Sequence, residues 1–269
     1  MRTRTISAII AVALLGAVFY FWREKGMMAI TTLVGLGCIY EYCRMMFVRL
    51  DTPLHLRGVF LLLGAAILGT TAFAQGFALE MTAIASVFFF TMSLLTISRA
   101  TDLPMVLQVV SYGALGFVYC GTFSGLTIRL LNLEQGTIWF FGLLAIVFSG
   151  DTFAYLTGRL FGKTKLLEPV SPKKTVEGSL GGLAGSALAG IGLGVGFLPE
   201  LPLGWLILTA LATGTFAQVG DLFESLLKRV AEVKDSGAIM PGHGGMLDRV
   251  DGVIFAAPIY YVLAKYLGA

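Results

Sequence analysis

The chain has 269 residues, 57% of them hydrophobic and only 13% charged, with a mean hydropathy of +0.84. This composition excludes an ordinary soluble domain and reads as an all-α, polytopic integral membrane protein. The net charge of +3 carries little information as a total, because the position of each basic residue along a membrane chain matters more than the sum; no nucleic-acid partner is indicated. Cys38, Cys43 and Cys120 form neither a CxxC pair nor a Cys/His ligand spacing, so core packing is expected of them rather than zinc or a disulfide.

A bilayer core takes about 20 apolar residues of helix, and period-2 alternation, the mark of a barrel strand, is absent. About nine spans are predicted by that length rule, over residues 6–22, 27–43, 58–74, 79–98, 105–128, 136–158, 178–198, 203–228 and 250–267. The first apolar run ends in Tyr20-Phe21-Trp22-Arg23 with no small-residue cleavage site, so it is expected to be an uncleaved helix and not a signal peptide. On this count the N-terminus shares one side with Arg2, Arg4, Arg44, Arg49, Arg57, Arg99, Arg159, Lys163, Lys165, Lys173, Lys174, Lys228, Arg229, Lys234 and Arg249. Arg23, Lys25, Arg129 and Lys265 fall opposite. The positive-inside rule makes the first side, and with it the N-terminus, cytoplasmic.

Residues 1–100 read as a helical scaffold without a chemical motif, and residues 101–269 as the catalytic region, with cytoplasmic loops over 159–177 and 229–249. Glu41 and Glu80 fall near span ends, where a solvated carboxylate is expected. Along the seventh span Gly178, Gly182, Ser186, Gly190 and Gly194 recur every four residues, a small-residue ridge suited to close helix packing. Asp151 and Asp221 lie inside apolar runs. An acid at that depth is costly and usually faces a polar cavity, the bland alternative being an ion pair with a basic loop residue. Asp221 sits about 10 Å along the helix from Lys228, and Asp221, Glu224, Ser225 and Lys228 share one face. Asp248 and Asp251 are likewise one turn apart at the start of the last span.

The polar residues concentrate in Ser225-Leu226-Leu227-Lys228-Arg229, Lys234-Asp235-Ser236-Gly237 and Pro241 to Asp251, around Gly242-His243-Gly244-Gly245. Carboxylates without thiolates suit a hard cation such as Mg²⁺, and the neighbouring lysines and arginines suit phosphate. Together they are the equipment of phosphoryl or nucleotidyl transfer on a phosphorylated lipid. No nucleophile elbow, P-loop or GxGxxG is present. An ion-coupled transporter using Asp151 and Asp221 remains the non-enzymatic alternative, although no inverted repeat is evident and the polar residues gather at one membrane face.

At these residues the sequence resembles the CDP-diacylglycerol synthases, or phosphatidate cytidylyltransferases. Their pattern runs from Ser225 through Lys228-Arg229, Lys234-Asp235, His243-Gly244-Gly245 and Asp248-Arg249 to Asp251, and only Met240 departs from it, one apolar side chain for another. Asp151-Thr152-Phe153-Ala154-Tyr155, Gly158-Arg159, Phe161-Gly162-Lys163 and Ser171-Pro172-Lys173-Lys174-Thr175-Val176-Glu177-Gly178 also look like family motifs. The resemblance covers 151–251 closely and the earlier helices by hydropathy alone. It implies transfer from CTP to phosphatidate at the cytoplasmic face of the cell membrane, dependent on Mg²⁺, with a second cation such as K⁺ and a homodimer. The alternative within lipid chemistry is a CTP-dependent kinase of the polyprenol or phytol type.

Under that resemblance Asp221 and Asp248 are the first-choice metal ligands, with Asp251 and Asp151 next. Lys173, Lys174, Lys228, Arg229 and Arg249 are expected to hold the phosphates of CTP and phosphatidate. Ser171 belongs to a loop, Ser171 to Thr175, expected to close over nucleotide, and Gly244 and Gly245 are expected to approach an anion. His243 is expected to orient that glycine loop, or a phosphate, rather than act as a base. Lys234 either pairs with Asp235 as a loop clamp or contacts substrate.

Overall fold

The computed structural model describes residues 2–74, 76–97, 103–239 and 244–267, with side chains from Gly16 onward. His243, together with Met240, Pro241 and Gly242, lies outside the described residues, as does Arg99; the side chains of Arg2 and Arg4 do too. The chain is an all-α membrane protein. Among the described residues eight helices are long and apolar enough to cross a bilayer.

The helices are α1 (Arg2–Cys43), α2 (Leu54–Phe73), α3 (Ala78–Ile97), α4 (Leu103–Gly116), α5 (Ser124–Arg129), α6 (Gly136–Phe161), α7 (Val176–Phe197), α8 (Leu203–Val230) and α9 (Leu247–Leu267). The first two predicted spans fall within α1, one helical run that breaks at Arg23. Arg23 has φ 47° and ψ −135°, and it stands in the predicted gap, where Arg23, Glu24 and Lys25 interrupt the apolar pattern. The predicted fifth span is α4 and α5 joined by a wider π-helical turn, Phe117–Phe123.

Contacts divide the chain into two compact units, residues 1–129 with 233–249, and residues 130–232 with 250–269. The first unit packs around an aromatic cluster. Phe60 stacks on Phe117 at 5.0 Å between centroids and contacts Tyr42, Phe47 and Phe89 at 4.8–5.9 Å. The Tyr42 hydroxyl donates to the Tyr112 carbonyl at 2.9 Å, so the ring is buried without stranding its polar tip. Cys38, Cys43 and Cys120 are buried, as their apolar context predicts.

In the second unit α7 packs between α6 and α8 through its small residues. Gly178, Gly182, Ser186, Gly190 and Gly194 are all buried. Ser186 donates to the Ile146 carbonyl of α6 at 3.0 Å, and both Gly150 of α6 and Gly214 of α8 lie against it. In lipid, where helices gain nothing from burying apolar surface against each other, such close backbone approach is what makes packing favourable. A Cβ on Gly178 would lie 2.9 Å from the Ala154 carbonyl oxygen and 3.1 Å from Gly158 Cα, both backbone atoms that cannot rotate aside. Gly178→Ala is expected to force α6 and α7 apart at a cost of about 1–3 kcal/mol, as overpacking does. The check is a lowered unfolding temperature in detergent, against an unchanged one for Gly192→Ala, where a Cβ meets nothing within 4 Å.

The expected loop over 159–177 is instead ordered as a hairpin. β1 (Lys165–Leu167) pairs antiparallel with β2 (Ser171–Thr175), with Lys165 opposite Thr175 and Leu167 opposite Ser171. The strands are too short for alternation to be legible. Their ends are tied instead: Glu177 accepts from the backbone N–H groups of Lys163 and Thr164, and Thr175 caps α7 by accepting from Gly178 N at 3.1 Å.

Candidate active site

Within the second unit, the intramembrane acids of α6, α8 and α9 come together. Asp221 lies within electrostatic reach of Asp151, and both lie within reach of Asp251. The approach of α9 to α8 has a local cause. Gly220 leaves room for Phe255 and for the Asp251 carbonyl, and Gly252 does the same for the Ala217 backbone and Val147. Small residues at these crossings let Asp251 come level with Asp221.

Cations flank the acids. Lys174 Nζ of β2 lies 2.6 Å from Asp221 Oδ2, so the hairpin is joined to α8 at its intramembrane acid. The acid's surroundings therefore include the ion pair that the bland reading of the sequence foresaw, and they also include two more carboxylates, which that reading does not explain. Lys228 pairs with Glu224 one turn before it, on the predicted shared face, and Glu224 is fully buried. Arg229 Nε donates to the Val170 carbonyl at 3.2 Å, a second tether between α8 and the hairpin. Lys173 is exposed and Ser171 is half-buried on the same strand.

Two groups here escaped the sequence reading. Glu224 was seen only as part of a face, not as a buried partner for Lys228. Gln218, one turn before Asp221, exchanges hydrogen bonds with Ser179 of α7: its Nε2 donates to the Ser179 carbonyl at 3.0 Å, and the Ser179 hydroxyl donates to its Oε1. The i, i+3 spacing from Gln218 to Asp221 was the available signal, extending the polar face of α8 deeper into the span.

The first unit holds the glycine loop. Asp248 Oδ2 accepts from Ser236 N at 2.9 Å, from Gly245 N at 2.8 Å and faces the Ser236 hydroxyl at 3.0 Å. Gly244 has φ +81°, a conformation natural to glycine. The Gly245 N–H, expected to approach an anion, is thus engaged with Asp248. Glu41, expected to be a solvated carboxylate, is instead 1% exposed: Oε2 accepts from Leu247 N at 2.9 Å and from the Ser236 hydroxyl at 3.1 Å. Position near a span end did not imply exposure, because a loop far along the sequence covers it. Lys234 and Asp235 are both exposed, and among the described residues no ion pair joins them; Arg249 is exposed as well.

The acids suit a hard cation. Asp221 Oδ2 already faces an ammonium, which shows that a positive group can reach it. Among the described residues no three His, Cys, Asp or Glu side chains form a ready-made metal cage. Mg²⁺ does not require one, since it is commonly held by one or two carboxylates with water and substrate phosphates completing its shell.

The cytidylyltransferase family profile matches residues 2–267, nearly the whole chain. The chain belongs to the cytidylyltransferase family. A phosphatidate cytidylyltransferase of Bacillus subtilis is 34% identical over 272 aligned residues, covering 99% of this chain and 98% of the relative. The phosphatidate cytidylyltransferase of Staphylococcus haemolyticus is 30% identical over 98% of both chains. That of Synechocystis is 44% identical over 139 residues, 51% of this chain and 46% of the relative. Membership in the cytidylyltransferase family makes this chain an enzyme, a nucleotidyltransferase, and the end-to-end alignments extend the likeness to α1–α5, which the motifs alone did not reach.

Proposed function

We propose that this chain is a phosphatidate cytidylyltransferase, converting CTP and phosphatidate to CDP-diacylglycerol and pyrophosphate in phospholipid synthesis. The observation that carries this reading is the meeting of Asp221 with Lys174, beside Asp151 and Asp251. It brings anion-binding and cation-binding groups together, as the joining of a lipid phosphate to a nucleotide triphosphate requires. The relatives aligned over the full length carry the same activity in their names.

In the reaction a phosphate oxygen of phosphatidate attacks the α-phosphorus of CTP. The new P–O bond forms as the bond to the bridging oxygen of the β-phosphate breaks, and pyrophosphate leaves with that electron pair. A phosphate monoester is already anionic at neutral pH, so no strong general base is needed. The demand on the protein is to bring two polyanions together and to stabilise the leaving group. Lys174 and Lys228, with Lys173, Arg229, Arg249 and Lys234, are assigned to the phosphates, and Ser171, Gly244 and Gly245 to substrate binding as well. Asp221 and Asp248 would be the first to hold Mg²⁺, with Asp251 and Asp151 next. The ion would offset charge on the phosphate oxygens. His243 is assigned to orienting the glycine loop. A second cation such as K⁺, a homodimer, and a cytoplasmic-facing site in the cell membrane with the catalytic residues in 101–269 belong to the same proposal.

The test is incorporation of label from CTP into a chloroform-soluble product. Label in cytidine or the α-phosphate should enter lipid only when phosphatidate and Mg²⁺ are both present. Entry of the γ-phosphate instead would assign the chain to the lipid kinases, and flux across sealed vesicles with no incorporation would assign it to transport.

A further inference from the structure

The start of α9 has no acceptor of its own. The residues before Leu247 are Gly244, Gly245 and Met246, none with a side-chain oxygen to receive the first N–H groups of the helix. Those donors are met from elsewhere. Leu247 N donates to Glu41 Oε2 at 2.9 Å, across 206 residues of sequence, and Asp248 N donates to the Ser236 hydroxyl oxygen at 3.3 Å. That hydroxyl lies 3.1 Å from Glu41 Oε2 and 3.0 Å from Asp248 Oδ2, and its single proton serves one carboxylate at a time.

The glycines around this network are spaces for it. A Cβ on Gly237 would lie 2.8 Å from Glu41 Cγ and nearer still to the carboxylate, and one on Gly245 would lie 2.5 Å from Glu41 Oε2. Glu41 is 1% exposed, and its Oε1 has no hydrogen-bond partner among the described residues. Burying a carboxylate with one oxygen unsatisfied is costly, and an apolar side chain would fill the same volume at lower cost. Packing alone therefore does not account for it. What an apolar side chain could not supply is an acceptor oxygen for Leu247 N and for the Ser236 hydroxyl, and this oxygen stands where the positive end of the α9 dipole favours a negative group. The joint effect of these two bonds falls on Asp248. One of its oxygens is held by Ser236 N, Gly245 N and the Ser236 hydroxyl, which fixes the plane and direction of the carboxyl group.

We propose that Glu41 is a positioning residue for cytidylyl transfer: through Ser236 and the first N–H of α9 it sets the orientation of the Asp248 carboxylate. The proposal rests on the cytidylyltransferase reading for its kinetic part. Its structural part, the closure of Ser236, Gly237, Gly245 and Leu247 on Glu41, stands independently of any activity. A helix that the sequence places in the scaffold thereby contributes to the reaction without touching substrate.

The test measures turnover and hydrogen exchange together in the full-length protein in detergent. Glu41→Ala is expected to lower kcat at least about tenfold, the scale of losing a buried hydrogen bond to a charged group, while KM for CTP changes less than about threefold. Glu41→Gln keeps an acceptor oxygen for Leu247 N and Ser236 and is expected to recover kcat to within about threefold of the parent. The amides of Ser236, Gly245, Leu247 and Asp248 should exchange faster in Glu41→Ala while those of α6 and α7 do not change. A Glu41→Ala protein with parental kcat and parental exchange overturns the proposal, as does a Gln variant no better than Ala. Should Glu41→Ala fail to fold, Ser236→Ala leaves Glu41 in place and cuts its link to Asp248. The expected kcat loss is again about tenfold, and no loss overturns the proposal. A parent without cytidylyl transfer refutes the functional reading instead, and the exchange comparison still decides whether Glu41 holds the loop.

Discussion

Asp221→Ala is expected to abolish CDP-diacylglycerol formation while leaving the protein folded, a loss on the order of 10²–10³-fold or more, as for removal of a group that stabilises transition-state charge. Two features separate this residue from an ordinary buried ion pair. It stands inside an apolar span beside Asp151 and Asp251, and its partner Lys174 comes from the hairpin, a segment outside the spans. A pair made only for packing needs one acid and one base. Here Asp151, Asp221, Asp251 and Glu224 gather beside Lys174 and Lys228, so acids outnumber the ammonium groups paired with them, and a site in that condition is suited to draw in a further cation. The fold should survive because α8 is held by Ala210, Gly214, Ala217 and Gly220, none of which touches the carboxylate's role. Asp221→Asn keeps the volume and removes only the charge, so it should be nearly as inactive as alanine, with a parental unfolding temperature. Near-normal turnover in either variant would remove Asp221 from the metal site and return it to the structural ion pair.

What could be read in the sequence follows physical scale. Membrane spans are long and repeat one simple requirement, so hydropathy predicted about nine; the last seven match long apolar helices among the described residues, the first two fall in the single run of α1, and the break at Arg23 lies in the predicted gap between them. The small-residue ridge of α7 was legible because packing along a helix has a fixed period. Asp151 and Asp221 announced themselves because an acid in an apolar run is expensive. The hairpin was not legible, since its short strands are ordered by Glu177 and Thr175 at their ends and not by a pattern of their own. Glu41 was missed for a different reason. Its burial depends on Ser236 and Leu247, far along the chain, and no local window around residue 41 contains them. Gly244 and Gly245 were recognised for what glycine offers an anion, whereas the structure adds a second demand: room for Glu41, Ser236 and Asp248 to close on one another.

That second demand gives the other large effect. Gly245→Ala is expected to lower turnover more than tenfold and to lower the unfolding temperature, by overpacking a site worth about 1–3 kcal/mol or more. The new Cβ would stand 2.5 Å from Glu41 Oε2 and 2.7 Å from Gly237 N, and closer again to the Ser236 hydroxyl. The Gly237 nitrogen is backbone and cannot swing away, so either the 236–245 contact opens or the start of α9 moves. Both displace Asp248, whose Oδ2 is held by Gly245 N and Ser236 N from the two sides of that contact. Gly244→Ala makes the contrasting case. There the cost is the left-handed backbone at φ +81°, about 1 kcal/mol for a residue with a Cβ. Its Cβ would come no nearer than 3.0 Å to Asp248 Oδ2, and the carboxylate can give slightly. Steady-state turnover and unfolding temperature measured side by side should therefore rank Gly245→Ala as the more damaged of the two. Were the glycines present only to let an anion approach the backbone, the close packing of Gly245 against Glu41 and Ser236 would be incidental, and the variant would bind CTP poorly yet unfold at the parental temperature. A lowered unfolding temperature together with lost turnover ties the loop's chemistry to its closure on Glu41.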